Sequence, residues 1–163
     1  MKNNKGFTLI ELLAVIIVLA VVMVLATRTI LPQMSNARRD AFEISANSML
    51  KSAMDAKDYY NLGKIKLNSD TTKSCKSNNT LCFTIEEIIE LGLNEGDKDI
   101  YQGKVIIENY NGAKPTYTLY LQKGAEFSIV GSKEENYENS EDIVEGGFDS
   151  DKLAEYTTCT CNA

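Results

Sequence analysis

A run of apolar residues from Phe7 to Ala26, interrupted by a single charge at Glu11, constrains this chain more than any other feature. The run is 20 residues long, and a helix of that length spans roughly 30 Å, the thickness of the hydrocarbon core of a bilayer. A carboxylate near the centre of a membrane helix costs about 2.5 to 3.5 kcal/mol on insertion scales. Glu11 is therefore a candidate functional residue that needs a partner, unless it lies near enough to the end of the run to reach the headgroups.

The six residues before the run form a short polar leader that ends in Gly6. Lys2 and Lys5 make the leader positive, which predicts that it stays on the cytoplasmic side. A secretory signal peptide would account for this charge and for the stretch Val24-Leu25-Ala26 as a cleavage site, but not for so long a run or for its acid. A plain single-pass anchor accounts for the length, but not for the Gly-Phe-Thr-Leu-x-Glu string at its start.

The stretch Lys5-Gly6-Phe7-Thr8-Leu9-Ile10-Glu11-Leu12-Leu13 resembles the N-terminal signature of type IV prepilins and pseudopilins. The resemblance implies that a prepilin peptidase cleaves the chain between Gly6 and Phe7 and methylates the new amine of Phe7. It also implies a role for Glu11 in assembly. In that family the Glu of one subunit attracts the N-terminal amine of a neighbour, and this attraction selects correctly staggered helices as they bundle into a filament.

The same resemblance implies the function and the partners of the chain. A structural subunit of a type IV pilus is expected, made as a precursor in the cytoplasmic membrane and then displayed on the cell surface for adhesion, twitching motility or DNA capture. Its partners would be other copies of itself, the prepilin peptidase, an assembly ATPase and a membrane platform protein. A pseudopilin of a type II secretion or competence system is the alternative, as is a single-pass membrane protein with an external binding module.

Composition argues against catalysis. The chain has no His and no Trp, and it contains no Gly-rich phosphate loop, HExxH or GxSxG motif. The commonest general base and metal ligand is therefore missing, so we expect no enzymatic activity and no cofactor. The net charge of −6 argues against a broad nucleic-acid-binding surface.

Beyond the apolar run the chain continues in a helical pattern. Pro32 predicts a bend, because proline removes a backbone donor, and Gly63 predicts the end of the helix. A stripe of residues at steps of four and three predicts a helix face that seats a globular head; its members are Phe42, Ala46, Met49, Ala53, Ala56 and Tyr60. The predicted parts are a leader at 1–6, a membrane and filament-core helix at 7–26, an amphipathic continuation at 27–62 and a globular region at 63–163.

The predicted fold class is α+β, a lollipop in which the long helix packs against a small antiparallel sheet of three strands. The strands are predicted at Lys104–Tyr110, Thr116–Gln122 and Glu126–Val130. A capping box at Thr84-Ile85-Glu86-Glu87 predicts a short helix that ends near residue 92. Loops are predicted at 64–83 and in the acidic segment 133–156, the latter with a short helix around Ser150–Tyr156.

Four cysteines follow the anchor, at Cys75, Cys82, Cys159 and Cys161. An even number on the exported side predicts two disulfides. A bridge from Cys159 to Cys161 would close a strained ring of three residues. Each of Cys75 and Cys82 is therefore predicted to bond one of the two C-terminal cysteines, in an order that the sequence leaves open. A zinc site built from all four is the alternative, although its spacing does not match the usual pairs.

Two acidic pairs offer carboxylates to a calcium ion, Asp97 with Asp99 and Asp149 with Asp151. Calcium takes about six or more oxygen ligands, and neither pair matches an EF-hand loop. We expect these side chains to be solvated surface acids, and the sequence predicts no metal site.

Overall fold

The structure is a computed structural model that describes residues 8–133 and 143–161. It is α+β, with an N-terminal apolar helix and an antiparallel sheet, as predicted. The chain divides into two compact units, Met1–Arg38 and Arg39–Ala163, and each is described by itself. The elements in chain order are α1 (Leu9–Asn61), β1 (Ser74–Ser77), β2 (Thr80–Thr84), α2 (Ile85–Glu90), β3 (Tyr101–Glu108), β4 (Thr116–Lys123), β5 (Phe127–Lys133), β6 (Ile143–Glu145) and α3 (Ser150–Thr157).

Helix α1 ends where the sequence predicts. The backbone N–H of Gly63 donates to the carbonyl of Tyr60, and the N–H of Lys64 donates to the carbonyl of Tyr59. Gly63 itself has a φ of 67°. This is the Schellman arrangement, in which a residue without a Cβ takes the left-handed conformation that closes the helix. The backbone is helical throughout α1, position 32 included.

The prediction of a three-stranded sheet is wrong, because the sheet has six strands in the order β1-β2-β3-β4-β5-β6. Each strand is antiparallel to the next. Strand β1 and all of β2 except Thr84 lie in the predicted loop 64–83, and β6 lies in the predicted acidic segment 133–156. The sequence Ser-Cys-Lys-Ser of β1 has no run of β-branched residues, and β6 has three residues. Neither carries the alternation by which strands are recognised.

One hydrophobic core lies between the stripe of α1 and one face of the sheet. Five stripe residues, Phe42, Ala46, Met49, Ala53 and Ala56, are at most 1% exposed, and Tyr60 packs against the same core. The sheet contributes alternate side chains from its central strands, as expected when one face is covered: Leu81, Phe83, Val105, Ile107, Leu119, Leu121 and Ile129.

Strands β3 and β4 approach each other closely at Gly103. This residue has a φ of 149°, and a Cβ there would collide with the carbonyl oxygen of Tyr120. Only glycine fits this backbone conformation and spacing. The next residue, Lys104, lies on the face of the sheet opposite the core, where its side chain contacts the C-terminal tail.

Candidate functional site

The N-terminus of α1 is closed by reciprocal hydrogen bonds between Thr8 and Glu11. Oε2 of Glu11 accepts a bond from the Thr8 backbone N–H at 2.8 Å and another from the Thr8 hydroxyl at 2.9 Å. In return, Oγ1 of Thr8 accepts from the backbone N–H of Glu11 at 3.4 Å. This is a capping box. The first N–H groups of a helix lack partners within the helix and carry partial positive charge, so an acid in the first turn stabilises it.

The capping box gives Glu11 a partner within its own chain, which the sequence reasoning missed. Its signal was the spacing Thr8-x-x-Glu11, the same spacing that predicted the box at Thr84 and Glu87. In that second box the N–H of Glu87 donates to Oγ1 of Thr84 at 3.2 Å. Both side-chain bonds at Glu11 use Oε2, and a carboxylate has about four acceptor positions. The carboxylate therefore retains the capacity to accept from a further donor.

Two of the predicted site residues, Gly6 and Phe7, lie outside the described residues. Their roles in cleavage and methylation stay predictions.

The first part of α1 is a candidate for membrane insertion or for helix packing. From Leu9 to Thr27 it has a mean hydropathy of 3.2 and is long and apolar enough to cross a membrane, by length and composition only. It is the one helix with these properties in the described part of the chain, and none of this segment is buried. Such a surface is stable only against lipid or against other apolar surfaces.

Two disulfides fix the C-terminal tail, Cys75–Cys161 and Cys82–Cys159, with Cα–Cα distances of 5.9 Å and 5.8 Å. The register of the sheet brings these residues together, because Cys75 lies directly opposite Cys82 in the β1–β2 pair. The structure thus gives the pairing order that the sequence left open. Since all four sulfurs are bonded in pairs, none is a thiolate for the alternative zinc site.

Lys104 holds the same tail to the outer face of the sheet. Lys104 is 4% exposed, and Nζ donates to the carbonyl oxygens of Glu155 at 2.5 Å and Thr158 at 3.1 Å. The ammonium also lies 5.4 Å from the centroid of the Tyr120 ring. Burial lowers the pKa of Lys104, whereas the carbonyls at the end of α3 and the aromatic face favour the cation. This contact leaves little signal in the sequence, because a lysine in a strand is usually exposed.

The aromatic ring of Tyr156 completes the attachment of α3. Its centroid lies 4.8 Å from that of Tyr120 and 5.0 Å from that of Phe148. Helix α3 has no buried residue of its own. The tail is therefore held by the disulfides, by Lys104 and by this ring contact rather than by a hydrophobic face.

The two acidic pairs considered for calcium lie in separate places. Asp97 and Asp99 belong to the loop between α2 and β3, where Oδ1 of Asp97 accepts the N–H of Asp99 at 2.9 Å. Asp149 is the N-cap of α3, and Asp151 lies in its first turn. Among the described residues, no group of three or more His, Cys, Asp or Glu side chains is placed to hold a metal ion.

Fold and site together define a chain with an apolar N-terminal helix and a disulfide-bonded α+β domain. Residues 1–27 match the family model of the prokaryotic N-terminal methylation motif, the signature of type IV pilins and pseudopilins. No curated protein and no solved structure matches the chain. The motif supports a type IV pilin-like or pseudopilin protein, and it implies a structural protein rather than an enzyme. It also implies processing by a prepilin peptidase and assembly into pilus-type filaments.

Proposed function

We propose that this chain is a structural subunit of a type IV pilus, cleaved after Gly6, N-methylated at Phe7 and assembled through the apolar part of α1. The observation that carries the proposal is the methylation motif at residues 1–27, most of which forms an exposed apolar helix from Leu9 to Thr27. Before assembly this helix lies in the cytoplasmic membrane. In the filament it packs against the same helix of neighbouring subunits, so that one apolar environment replaces another.

Glu11 selects the correct stagger of these helices. An unpaired carboxylate in lipid is unfavourable, and the methylated amine of Phe7 in a neighbouring subunit is the cation that relieves the penalty. Thr8 holds Oε2 at the N-terminal end of the helix, which is the end at which such an amine arrives. The pairing contributes specificity of alignment more than affinity.

The disulfide-bonded domain forms the outer surface of the filament. Disulfides persist in oxidising surroundings, and both bonds of this chain lie in residues that follow the apolar helix. The domain then meets the surfaces or molecules on which adhesion and twitching motility depend.

Mass spectrometry of the mature N-terminus tests the proposal. We expect a chain that begins at Phe7 and carries one methyl group on its amine. Gly6→Leu is the matched control, because a bulky side chain at the cleavage position should leave the chain beginning at Met1. An unprocessed N-terminus in the unchanged chain, or a start after Ala26, would contradict the proposal and favour a plain anchor or a signal peptide.

Pseudopilins carry the same motif, so a second experiment is needed to distinguish a pilus from a pseudopilus. The distinguishing property is whether the filament extends from the cell surface or stays in the cell envelope. We expect mechanical shearing of intact cells to release the chain in long filaments that electron microscopy can image. A processed chain that stays in the cell envelope would indicate a pseudopilus instead.

A further inference from the structure

The tip of the β1–β2 hairpin carries the sequence Asn78-Asn79-Thr80, which is the one Asn-x-Ser/Thr sequence in the chain. An asparagine in this context is an acceptor for N-linked glycans when it lies on the surface of an exported protein. Ser77 pairs with Thr80, so the turn between the two strands consists of Asn78 and Asn79 alone. The acceptor sequence therefore lies at the exposed end of a hairpin rather than inside an element.

The two asparagines of this turn have different surroundings. Nδ2 of Asn79 donates to Oδ1 of Asn109 at 2.7 Å, and the carbonyl of Asn79 accepts the backbone N–H of Tyr110 at 3.3 Å. These bonds hold the turn to the residues that follow β3. The side chain of Asn78 is exposed, and in the described part of the chain no other group hydrogen-bonds to its amide. Asn78 thus offers an accessible side-chain nitrogen on a turn that its neighbour holds in place.

The amide of Asn78 and the hydroxyl of Thr80 face the same space. Asn78 takes the left-handed conformation with a φ of 47°, which asparagine tolerates, and Thr80 begins a strand, where a β-branched residue is favoured. These local preferences explain each residue by itself. They do not require the two side chains to share a surface, yet both line one groove on the outer face of the sheet. A transferase that recognises the acceptor amide together with this hydroxyl finds both groups on one side.

The groove beside Asn78 is able to seat the first sugar of a glycan. It has a volume of about 300 Å³. Three residues with hydroxyl groups and one aliphatic residue line it, namely Ser77, Thr80, Thr160 and Ile106. A sugar ring has apolar C–H faces and a rim of hydroxyls, so this mixed lining suits it. Cys82 and Cys161, one from each disulfide, also line the groove, so a sugar seated there covers the attachment of the C-terminal tail.

The acceptor is accessible both before and after the disulfides form. Both bonds need a C-terminal cysteine, at sequence separations of 86 and 77 residues. In a chain exported from its N-terminal end, the hairpin therefore emerges before either bond can close. In the folded domain Asn78 is still exposed, so glycan transfer requires neither unfolding nor reduction.

We propose that Asn78 carries an N-linked glycan, transferred outside the cytoplasm from a donor in which the glycan is bonded to a lipid diphosphate. The inference goes beyond the proposed function and rests on it only for export of the α+β domain. Nδ2 of Asn78 attacks the anomeric carbon of the donor, and a C–N bond forms as the C–O bond to the diphosphate breaks. The lipid diphosphate leaves with the electron pair, and one amide proton passes to a base of the membrane transferase.

Mass spectrometry of the tryptic peptide 77–98 tests this proposal in the native host. The peptide is taken from sheared filaments and from the membrane fraction after reduction of the disulfides, and it contains the acceptor sequence. We expect the peptide of the unchanged chain to carry a saccharide, and fragmentation should place it on Asn78.

Four variants separate a glycan on this nitrogen from other modifications. Asn78→Gln and Thr80→Ala destroy the acceptor sequence, so we expect the modified peptide to be lost from both. Thr80→Ser and Asn79→Gln preserve the acceptor sequence and are the matched controls, and we expect most of the modification to be retained. Non-reducing electrophoresis checks that every variant forms both disulfides.

The outcomes distinguish this inference from the proposed function. An unmodified peptide from a chain that begins at Phe7 would overturn the inference and leave the filament function intact. A saccharide that persists on the peptide in Asn78→Gln or Thr80→Ala would also overturn it, because the sugar would then be attached independently of the acceptor sequence. A glycan on Asn78 of a chain that still begins at Met1 would support the inference and overturn the proposed function.

Discussion

The carboxylate of Glu11 lies 2.8 Å from the backbone nitrogen of Thr8, and it accepts that N–H as part of a capping box. The same carboxylate is the one that the proposed assembly uses. These two roles make different demands. The cap needs an acceptor oxygen at the end of the helix, whereas attraction of an N-terminal amine needs negative charge. Substitutions can therefore separate them.

Glu11→Gln should abolish or strongly reduce filament yield while the chain still inserts in the membrane and is cleaved. The amide keeps an acceptor oxygen for Thr8 but removes the charge that pairs with the amine of a neighbour. Glu11→Ala should have at least as large an effect, since it also removes a capping interaction of about 1 kcal/mol. The measurements are filament yield after shearing and the amount of processed chain in the membrane.

Variants at Thr8 provide the matched control. Thr8→Ser keeps the hydroxyl and should assemble normally. Thr8→Val removes the two hydrogen bonds of the hydroxyl but keeps the backbone N–H bond and the charge of Glu11, so filaments should still form. If Glu11→Gln gave filaments at the normal yield, the charge would have no role in assembly.

The long helix and its packing face could be predicted from the sequence, because both depend on local patterns. A stripe from Phe42 to Tyr60 repeats over about five turns, and Gly63 supplies the left-handed residue that ends the helix. The sheet was harder to predict. Strand β1 is a strand because β2 pairs with it, and that pairing is tertiary information that four polar residues do not carry.

In the candidate site, too, local features could be predicted from the sequence and long-range contacts could not. Glu11 stands out locally, as one charge in an apolar run. The contacts of Lys104 depend on a tail more than 50 residues away, since it bonds the carbonyls of Glu155 and Thr158 at sequence separations of 51 and 54. The disulfides likewise depend on the β1–β2 register, which places Cys75 beside Cys82, and on the path of the distant C-terminal tail. Long-range pairing of this kind leaves no periodic signal in the sequence.

The two disulfides should stabilise the chain in a non-additive way. Their sequence separations, 86 and 77 residues, differ by nine, and one loop lies inside the other. With either bond intact, the other closes a loop of only about nine residues, worth roughly 2.5 kcal/mol by chain entropy. Removing both disulfides releases the nine-residue loop and also the loop of some 80 residues. The free energy of unfolding should then fall by roughly 7 kcal/mol in total.

Serine variants in detergent test this expectation through urea unfolding. The pairs Cys75→Ser with Cys161→Ser, and Cys82→Ser with Cys159→Ser, should each lower the unfolding free energy by a similar amount. The variant without cysteines should lose more than the two losses combined. Simple additivity would mean that the two bonds constrain the unfolded chain independently, contrary to their nesting.

Glu90 should make stability depend on pH in the acid range. Its carboxylate oxygens lie 3.1 Å from the ammonium groups of both Lys73 and Lys98, and these bonds hold the pKa of Glu90 below its usual range. Because the folded pKa lies below the unfolded value of about 4.3, the ion pairs contribute fully above that value. The contribution is lost as the pH falls through the folded pKa.

Urea midpoints of the unchanged chain and of Glu90→Gln, measured from pH 7 to pH 3, test this sign. The urea midpoint of the unchanged chain should exceed that of Glu90→Gln by a constant, modest margin down to about pH 5. This difference in midpoint should shrink toward zero below about pH 4. Added salt should narrow it at neutral pH, since Glu90 and both lysines are solvent-accessible. A margin that widened as the pH fell would mean that Glu90 is stabilised in its protonated form, contrary to its two ammonium partners.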